Sequence, residues 1–199
     1  MNLEFFKVGE ANLEQIRLWR MSNNVTKYMY TDPQISLEDQ RKWYQRIVQD
    51  YSRMDWIIYA DGGNVGVVSL YDIAPLYRRC YWAFYLGDES ARGKGIGRAV
   101  ELNILRYVFI RLNFHKLCSE VFQWNESVVR MHQKNGSKIE GVLQEHIWKN
   151  GIYHNVICMG ILRHEWENMI IEKLQYSPAK IEEWEDKIQH LTKCEGSTT

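Results

Sequence analysis

The sequence predicts an α+β fold: a mixed, mostly antiparallel central sheet of about seven strands flanked by helices, with a helical extension at the C-terminus. Two hairpin signals, Asp61-Gly62-Gly63-Asn64 and Asn150-Gly151, each sit between β-rich runs. A single strand–helix–strand crossover lies between them, and it passes through a glycine-rich stretch, ESARGKGIGRAV, at 89–100. Parallel pairing at that crossover, set among antiparallel hairpins, gives a mixed sheet rather than a doubly wound one.

Taken in order, LEFFKV (3–8) reads as a short strand, and ANLEQIRLWR (11–20) as a helix with Leu13, Ile16, Leu18 and Trp19 near one face. A polar, aromatic stretch broken by Pro33 follows. Ser36, with Asp39 three positions on, then caps a second helix, LEDQRKWYQRIVQD. MDWIIYA and VGVVSLYDI form the first hairpin, and RRCYWAFYL (78–86) is the next strand. From Gly95 to Leu112 the apolar residues Ile96, Ala99, Leu102, Leu105, Val108, Phe109 and Leu112 recur every three to four positions, the pattern of one long amphipathic helix. KLCSEVFQ (116–123) is a strand, NESVVRMHQKNG (125–136) a short helix stopped by Asn135-Gly136, and KIEGVLQEHIW-KNG-IYHNVICMGIL the second hairpin. Beyond residue 165, Trp166, Met169, Ile170, Leu174, Ile181, Trp184, Ile188 and Leu191 suggest helices interrupted near Pro178, with a frayed CEGSTT tail. Residues 1–165 therefore form the domain and 166–199 an extension, whose apolar stripe must pack on the domain or form a homodimer contact.

Composition narrows the function classes. With 25 basic and 25 acidic residues the chain has no net charge, which argues against a protein that coats nucleic acid or an anionic membrane. Cys80, Cys118, Cys158 and Cys194 are scattered, without C-x-x-C pairs or histidines at metal spacing. Reduced cysteines, no metal site, no signal-peptide pattern and no apolar run of membrane length point to a cytoplasmic protein.

Three phosphate-binding patterns compete for the glycine stretch. A Walker loop requires Lys-Ser/Thr after its last glycine, whereas Gly97 is followed by Arg98-Ala99. A Rossmann turn requires G-x-G-x-x-G; the spacing here is G-x-G-x-G, and three antiparallel strands precede it, although Glu120 sits near the expected acidic distance. The third pattern, Arg92-x-x-Gly95-x-Gly97 directly after a strand, puts backbone N–H groups at a helix N-terminus where they bind a pyrophosphate. Glycines let the phosphate approach those amides. A connection without a ligand would not need three glycines and three cations within seven residues.

Strand, Arg-x-x-Gly-x-Gly and long helix resemble the acetyl-CoA signature of the GCN5-related N-acetyltransferase (GNAT) family. The likeness spans roughly residues 3 to 165, and WNESVVRMHQKNGSKIEGVLQEHIWKNGIYHNVICMGIL is similar to the second half of its ribosomal-protein and polyamine acetyltransferase branch. LWRMSNNVTKYMYTDPQIS and YWAFY resemble the branch that acetylates a UDP-linked amino sugar in pseudaminic acid biosynthesis. The resemblance implies an acetyl-CoA-dependent N-acetyltransferase that modifies the 4-amino group of a nucleotide-linked amino-deoxy sugar. The alternatives are a ribosomal-protein N-terminal or spermidine/polyamine acetyltransferase and, outside enzymes, an acyl-CoA-binding regulatory module. The implied partners are acetyl-CoA and a small amine, without metal.

Site residues follow from the same resemblance. The thioester carbonyl and pantetheine amides are expected against backbone groups of Phe84, Leu86 and Gly87. The pyrophosphate is expected on Arg92, Gly93, Lys94, Gly95, Ile96, Gly97 and Arg98, and the pantetheine arm on Asn125, with Ser127 and Arg130 on the same helix. The family's catalytic tyrosine position is His132 here, its phenylalanine after glycine is Ser137, and the strand glutamate of related enzymes is Trp82. His132 is the candidate acid for the departing thiolate and Tyr85 the second candidate. Histidine titrates near 6.5 rather than tyrosine's 10, so catalysis by an imidazolium falls as pH rises through that range. Arg20, Tyr28, Met29, Tyr30, Tyr81 and Trp82 are the candidate acceptor residues: arginine pairs with phosphate and aromatics cover a base or a sugar methyl. Arg20 reads equally as a helix C-terminal cation, and Trp19 as core.

Overall fold

The computed structural model describes residues 1–173 and 177–195. Its elements are β1 (Leu3–Lys7), α1 (Leu13–Met21), α2 (Asn23–Thr26), α3 (Leu37–Gln49), β2 (Met54–Ala60), β3 (Gly63–Ala74), β4 (Arg79–Leu86), α4 (Ile96–Arg106), β5 (Lys116–Phe122), α5 (Glu126–Lys134), β6 (Lys138–Lys149), β7 (Ile152–Leu162), α6 (Arg163–Lys173), β8 (Lys180–Ile181) and α7 (Glu185–Glu195). None of these helices is long and apolar enough to cross a membrane.

Local chemistry explains where the elements start and turn. Ser36 Oγ accepts from the Asp39 N–H at 3.1 Å while Asp39 Oδ2 accepts from the Ser36 N–H at 3.2 Å, so two N–H groups at the start of α3 are satisfied reciprocally. Both hairpins turn on paired left-handed residues: Asp61 and Gly62 at φ 48° and 100°, Asn150 and Gly151 at 51° and 81°. The long helix expected over 95–112 holds α-geometry through Arg106, then widens into a π-turn over Tyr107–Arg111.

All eight strands form one sheet in the order β6-β7-β5-β4-β3-β2-β1-β8. Among the described residues only β4–β5 and β1–β8 pair in parallel. Against the expected sheet of about seven strands, the eighth is a small addition. It is two residues long, it comes from the extension read as purely helical, and it exists because β1 offers it an open edge. Such a strand leaves no periodic trace in sequence.

The sheet is packed on both faces. On one, Trp56, Leu70 and Trp82 meet Val100, Ile104, Leu105 and Phe109; on the other, Val8, Ile57 and Val67 meet Leu13, Ile16 and Ile47 of α1 and α3. The described part of the extension closes the first core: Trp166 packs 5.2 Å from Phe109, and Ile188 and Leu191 are buried. Lys187 Nζ, also buried, donates to the carbonyls of Ile47, Asp50 and Arg53 at 2.6 to 2.8 Å. Leu174 and the tail from 196 lie outside the described residues.

The feature that makes the site is a failure of pairing. β4 and β5 pair at Arg79–Lys116, Cys80–Leu117 and Tyr81–Cys118, and no further. β4 continues on β3 to Leu86, whereas β5 turns away with β7. From Trp82 onward the β5-facing edge of β4 carries unpaired backbone groups along a wedge.

Candidate active site

A cavity of about 1050 Å³ fills this wedge and reaches from the glycine loop to α1 and α3. At one end its wall includes Gly93, Gly95, Gly97, Arg92 and Arg98. Gly95, at φ 79°, is the N-cap of α4 and offers no side chain to the first-turn amides, so these point at open space beside two arginines. A Cβ on Gly97 would lie 3.1 Å from the Phe84 ring, so this glycine lets the loop sit against β4. Phe84, Leu86, Asn125 and Ser127 also line the cavity. Ser127 Oγ donates to Asn125 Oδ1 at 3.2 Å, holding that amide at the start of α5. Unpaired β4 backbone, free helix amides and a long wedge together fit a thioester-linked pantetheine ending in a pyrophosphate.

Several of the expected residues lie outside the cavity wall or have other partners. Ile96 is buried in the core, and Lys94 is exposed on the loop, outside the cavity wall. Gly87 lies under Trp19, whose ring would be 2.2 Å from a Cβ, so it admits the indole that packs α1 on the sheet. Arg130 forms an exposed ion pair with Glu126 one turn earlier, on the outer face of α5. Tyr81 packs against Tyr71 and beneath Arg79, at the last residue where β4 and β5 are still paired, and does not line the cavity. Arg92 lines the cavity, but its guanidinium donates to the carbonyls of Asn24 and Leu86 at 2.8 and 3.2 Å, tying α2 to the loop.

His132 lines the cavity and is 3% exposed. Its ring meets Trp82 edge-on at 5.2 Å, and its Nδ1 lies 2.8 Å from Glu101 Oε1. Tyr85 lines the cavity from the opposite face of β4, beside Trp19. Its hydroxyl is buried without a hydrogen-bond partner among the described residues. Burial pushes this phenol up, which makes it a reluctant proton donor.

Of the candidate acceptor residues, Arg20, Tyr28, Met29, Tyr30 and Trp82 are brought together on the cavity wall. The group that sequence reasoning missed is Glu120, which lines the cavity from β5. Tyr30 Oη donates to Glu120 Oε2 at 2.9 Å, and the Tyr30 ring packs edge-on against Phe122 at 5.2 Å. Burial pushes the Tyr71 phenol up and the nearby Glu120 charge adds to this; burial and the Glu120 hydrogen bond do the same for Tyr30. One carboxylate thus sits among aromatic rings. Its only trace in sequence is a charged position inside an otherwise apolar strand, KLCSEVF.

Lys149, from the far hairpin, was also not legible. It is buried, and its Nζ donates to the carbonyls of Thr26 and Met29 at 2.6 and 2.7 Å and to Asp32 Oδ1 at 2.9 Å. It thereby pins the loop that carries Tyr28, Met29 and Tyr30.

A parallel-strand wedge ending in a glycine-rich helix N-terminus, beside a carboxylate-bearing acceptor chamber, defines an acyl-CoA-dependent transferase acting on an amine. Residues 2–138 match the acetyltransferase (GNAT) domain model, and the chain belongs to that family. It is 28% identical to the spermidine N(1)-acetyltransferase of Escherichia coli (strain K12), over 80% of this chain and 87% of that one. It is 24% identical to the acetyltransferase PseH of Campylobacter jejuni (strain 81-176), over 66% and 80%. Among solved structures, the spermidine N-acetyltransferase from Vibrio cholerae in complex with CoA and spermine superposes with a TM-score of 0.79 at 25% identity, covering 84% of this chain and 99% of that one. The protein is an N-acetyltransferase that uses acetyl-CoA.

Proposed function

We propose that the acceptor is a small diffusible primary amine of the cytoplasm, with a spermidine-type polyamine as the first candidate. The observation that carries this is Glu120: a carboxylate ringed by Tyr30, Tyr71 and Phe122 recognises an ammonium through charge and aromatic faces together. The likeness to spermidine acetyltransferases, which extends over more of the chain than the likeness to PseH, supports the same acceptor class.

In the proposed reaction Glu120 and Tyr30 hold the acceptor nitrogen, which loses a proton to water or to Glu120 before attack. The nitrogen forms a bond to the thioester carbonyl carbon while the unpaired β4 amides receive the developing oxyanion. The C–S bond breaks, and the thiolate takes a proton from His132, which is replenished from solvent. The products are the N-acetyl amide and CoA.

A second acceptor class, a nucleotide-linked amino-deoxy sugar, is favoured by Arg20. Its guanidinium lines the acceptor end without an acidic partner among the described residues, and Tyr28, on the same wall, stacks on exposed Trp124 at 5.6 Å. Arginine and an aromatic platform suit a diphosphate and a base. Thiol release measured with spermidine, a UDP-linked 4-amino sugar and an N-terminal peptide separates the classes. Turnover of spermidine, weakened in Glu120→Gln through a raised acceptor KM and kept in Arg20→Ala, is the expected result. Turnover of the amino sugar alone, lost in Arg20→Ala, overturns the polyamine assignment. Turnover of the peptide alone, or of none of the three, overturns both acceptor assignments.

A further inference from the structure

We infer that Glu101 is a positioning residue for proton transfer: it fixes the His132 ring so that its second nitrogen, Nε2, serves the thiolate-protonating step. This rests on the role proposed above for His132 and adds a residue to it. Glu101 lies on α4, 1% exposed, among Val100, Leu102, Ile104 and Leu105. A carboxylate in such a setting is costly unless each oxygen is satisfied. Both are, and both partners come from α5: Oε1 meets His132 Nδ1 at 2.8 Å and Oε2 accepts from Asn135 Nδ2 at 2.6 Å. No lysine or arginine pairs with Glu101 among the described residues, so the one group able to bring it positive charge is His132.

The ring is held from two sides. Nδ1 is committed to Glu101, and the face of Trp82 stops the imidazole from turning. The nitrogen left for the cavity that His132 lines is Nε2. With the proton on Nε2, the ring can pass it to the sulfur as the C–S bond breaks. Asn135 also reaches outward, its Oδ1 lying 3.4 Å from Arg98 Nε beside the glycine loop. A chain of contacts therefore runs from Arg98, exposed beside the glycine loop, through the buried Asn135 and Glu101 to His132, the proposed proton donor.

A carboxylate that merely glued α5 to α4 would lower stability without depending on what occupies position 132. The test is a cycle of kcat values over the wild type, Glu101→Gln, His132→Phe, the double variant of these two, and Glu101→Gln combined with His132→Tyr, each with a thermal melt. His132→Phe is expected to lower kcat about 100-fold, the lower end of what a positioned general acid supplies. Glu101→Gln is expected to lower kcat about 10-fold in the wild type and to have no further effect beside phenylalanine. Tyrosine at 132 needs no carboxylate to present its proton, so it should restore much of the loss in the Glu101→Gln background. An equal loss of kcat from Glu101→Gln in both backgrounds overturns the inference while leaving His132 as the acid. An unchanged kcat in His132→Phe overturns the role of His132 itself. If Glu101→Gln fails to fold, Glu101→Asp keeps the charge and withdraws it from the ring. A folded Glu101→Asp protein with reduced kcat supports the inference, and one with wild-type kcat overturns it.

Discussion

At the proposed donor end of the cavity the groups that face the wedge are backbone: the unpaired edge of β4 beyond Trp82 and the first amides of α4 beyond Gly95. At the acceptor end they are side chains from separate elements, Arg20 on α1, Gln40 on α3, Tyr71 on β3, Glu120 on β5 and Tyr30 on the intervening loop. The first arrangement is local, because glycines and a helix start within a few residues of each other present the amides directly. The second comes from chain segments up to 100 positions apart, from Arg20 to Glu120. A donor common to many reactions is read by backbone, and an acceptor particular to one enzyme by side chains that can change without disturbing the fold.

Substitutions can break each end separately. The largest effect is expected at Gly95, where a residue with a side chain must hold φ 79° and add atoms to the open space before α4 in which the pyrophosphate is proposed to sit. Gly95→Val should raise the acetyl-CoA KM by about 100-fold, from left-handed strain of 1–2 kcal/mol plus lost amide contacts, and leave the acceptor KM within twofold in initial-rate kinetics. Glu120→Gln should do the reverse, raising the acceptor KM by about 10- to 30-fold for loss of a charge-assisted contact, with the acetyl-CoA KM unchanged. Equal changes in both constants would contradict the division of the cavity.

Lys149→Met removes the ammonium that holds the acceptor loop and leaves two carbonyls short of a donor. A cost of about 1–2 kcal/mol is expected, seen as a Tm lower by about 2–8 °C. The acceptor KM should rise severalfold as Tyr28 and Tyr30 lose their anchor. The smallest effect belongs to Asp32. The hydrogen bond from Lys149 holds its carboxyl below the usual aspartate range, against a smaller opposing effect of burial. A depressed carboxyl contributes stability above its unfolded value near 3.9 and loses it as pH falls through the folded value. Melting curves of Asp32→Asn should therefore fall slightly below wild type at neutral pH and converge with it in acid.

Much of the donor site was legible in the residues. Asp61-Gly62 and Asn150-Gly151 marked both hairpins, Ser36-x-x-Asp39 marked α3, and the glycines at 93, 95 and 97 located the α4 N-terminus, since each depends on conformations that few residue types adopt. Where the structure places an expected residue outside the cavity wall, side-chain direction or strand pairing is the reason. Ile96 and Arg130 share elements with true cavity residues but face the core and solvent, and Tyr81 lies just short of the point where the strands part.

By itself, then, the sequence determined the turns, the helix starts, the order of elements and the nature of the donor, all properties of neighbours along the chain. The tertiary structure alone decided that Glu120 meets Tyr30 across 90 positions, that Lys149 holds the acceptor loop, and that a glutamate on one helix stands behind the histidine of another. Those pairings arise where separate segments pack, and a buried charge shows its purpose only once its partner is beside it.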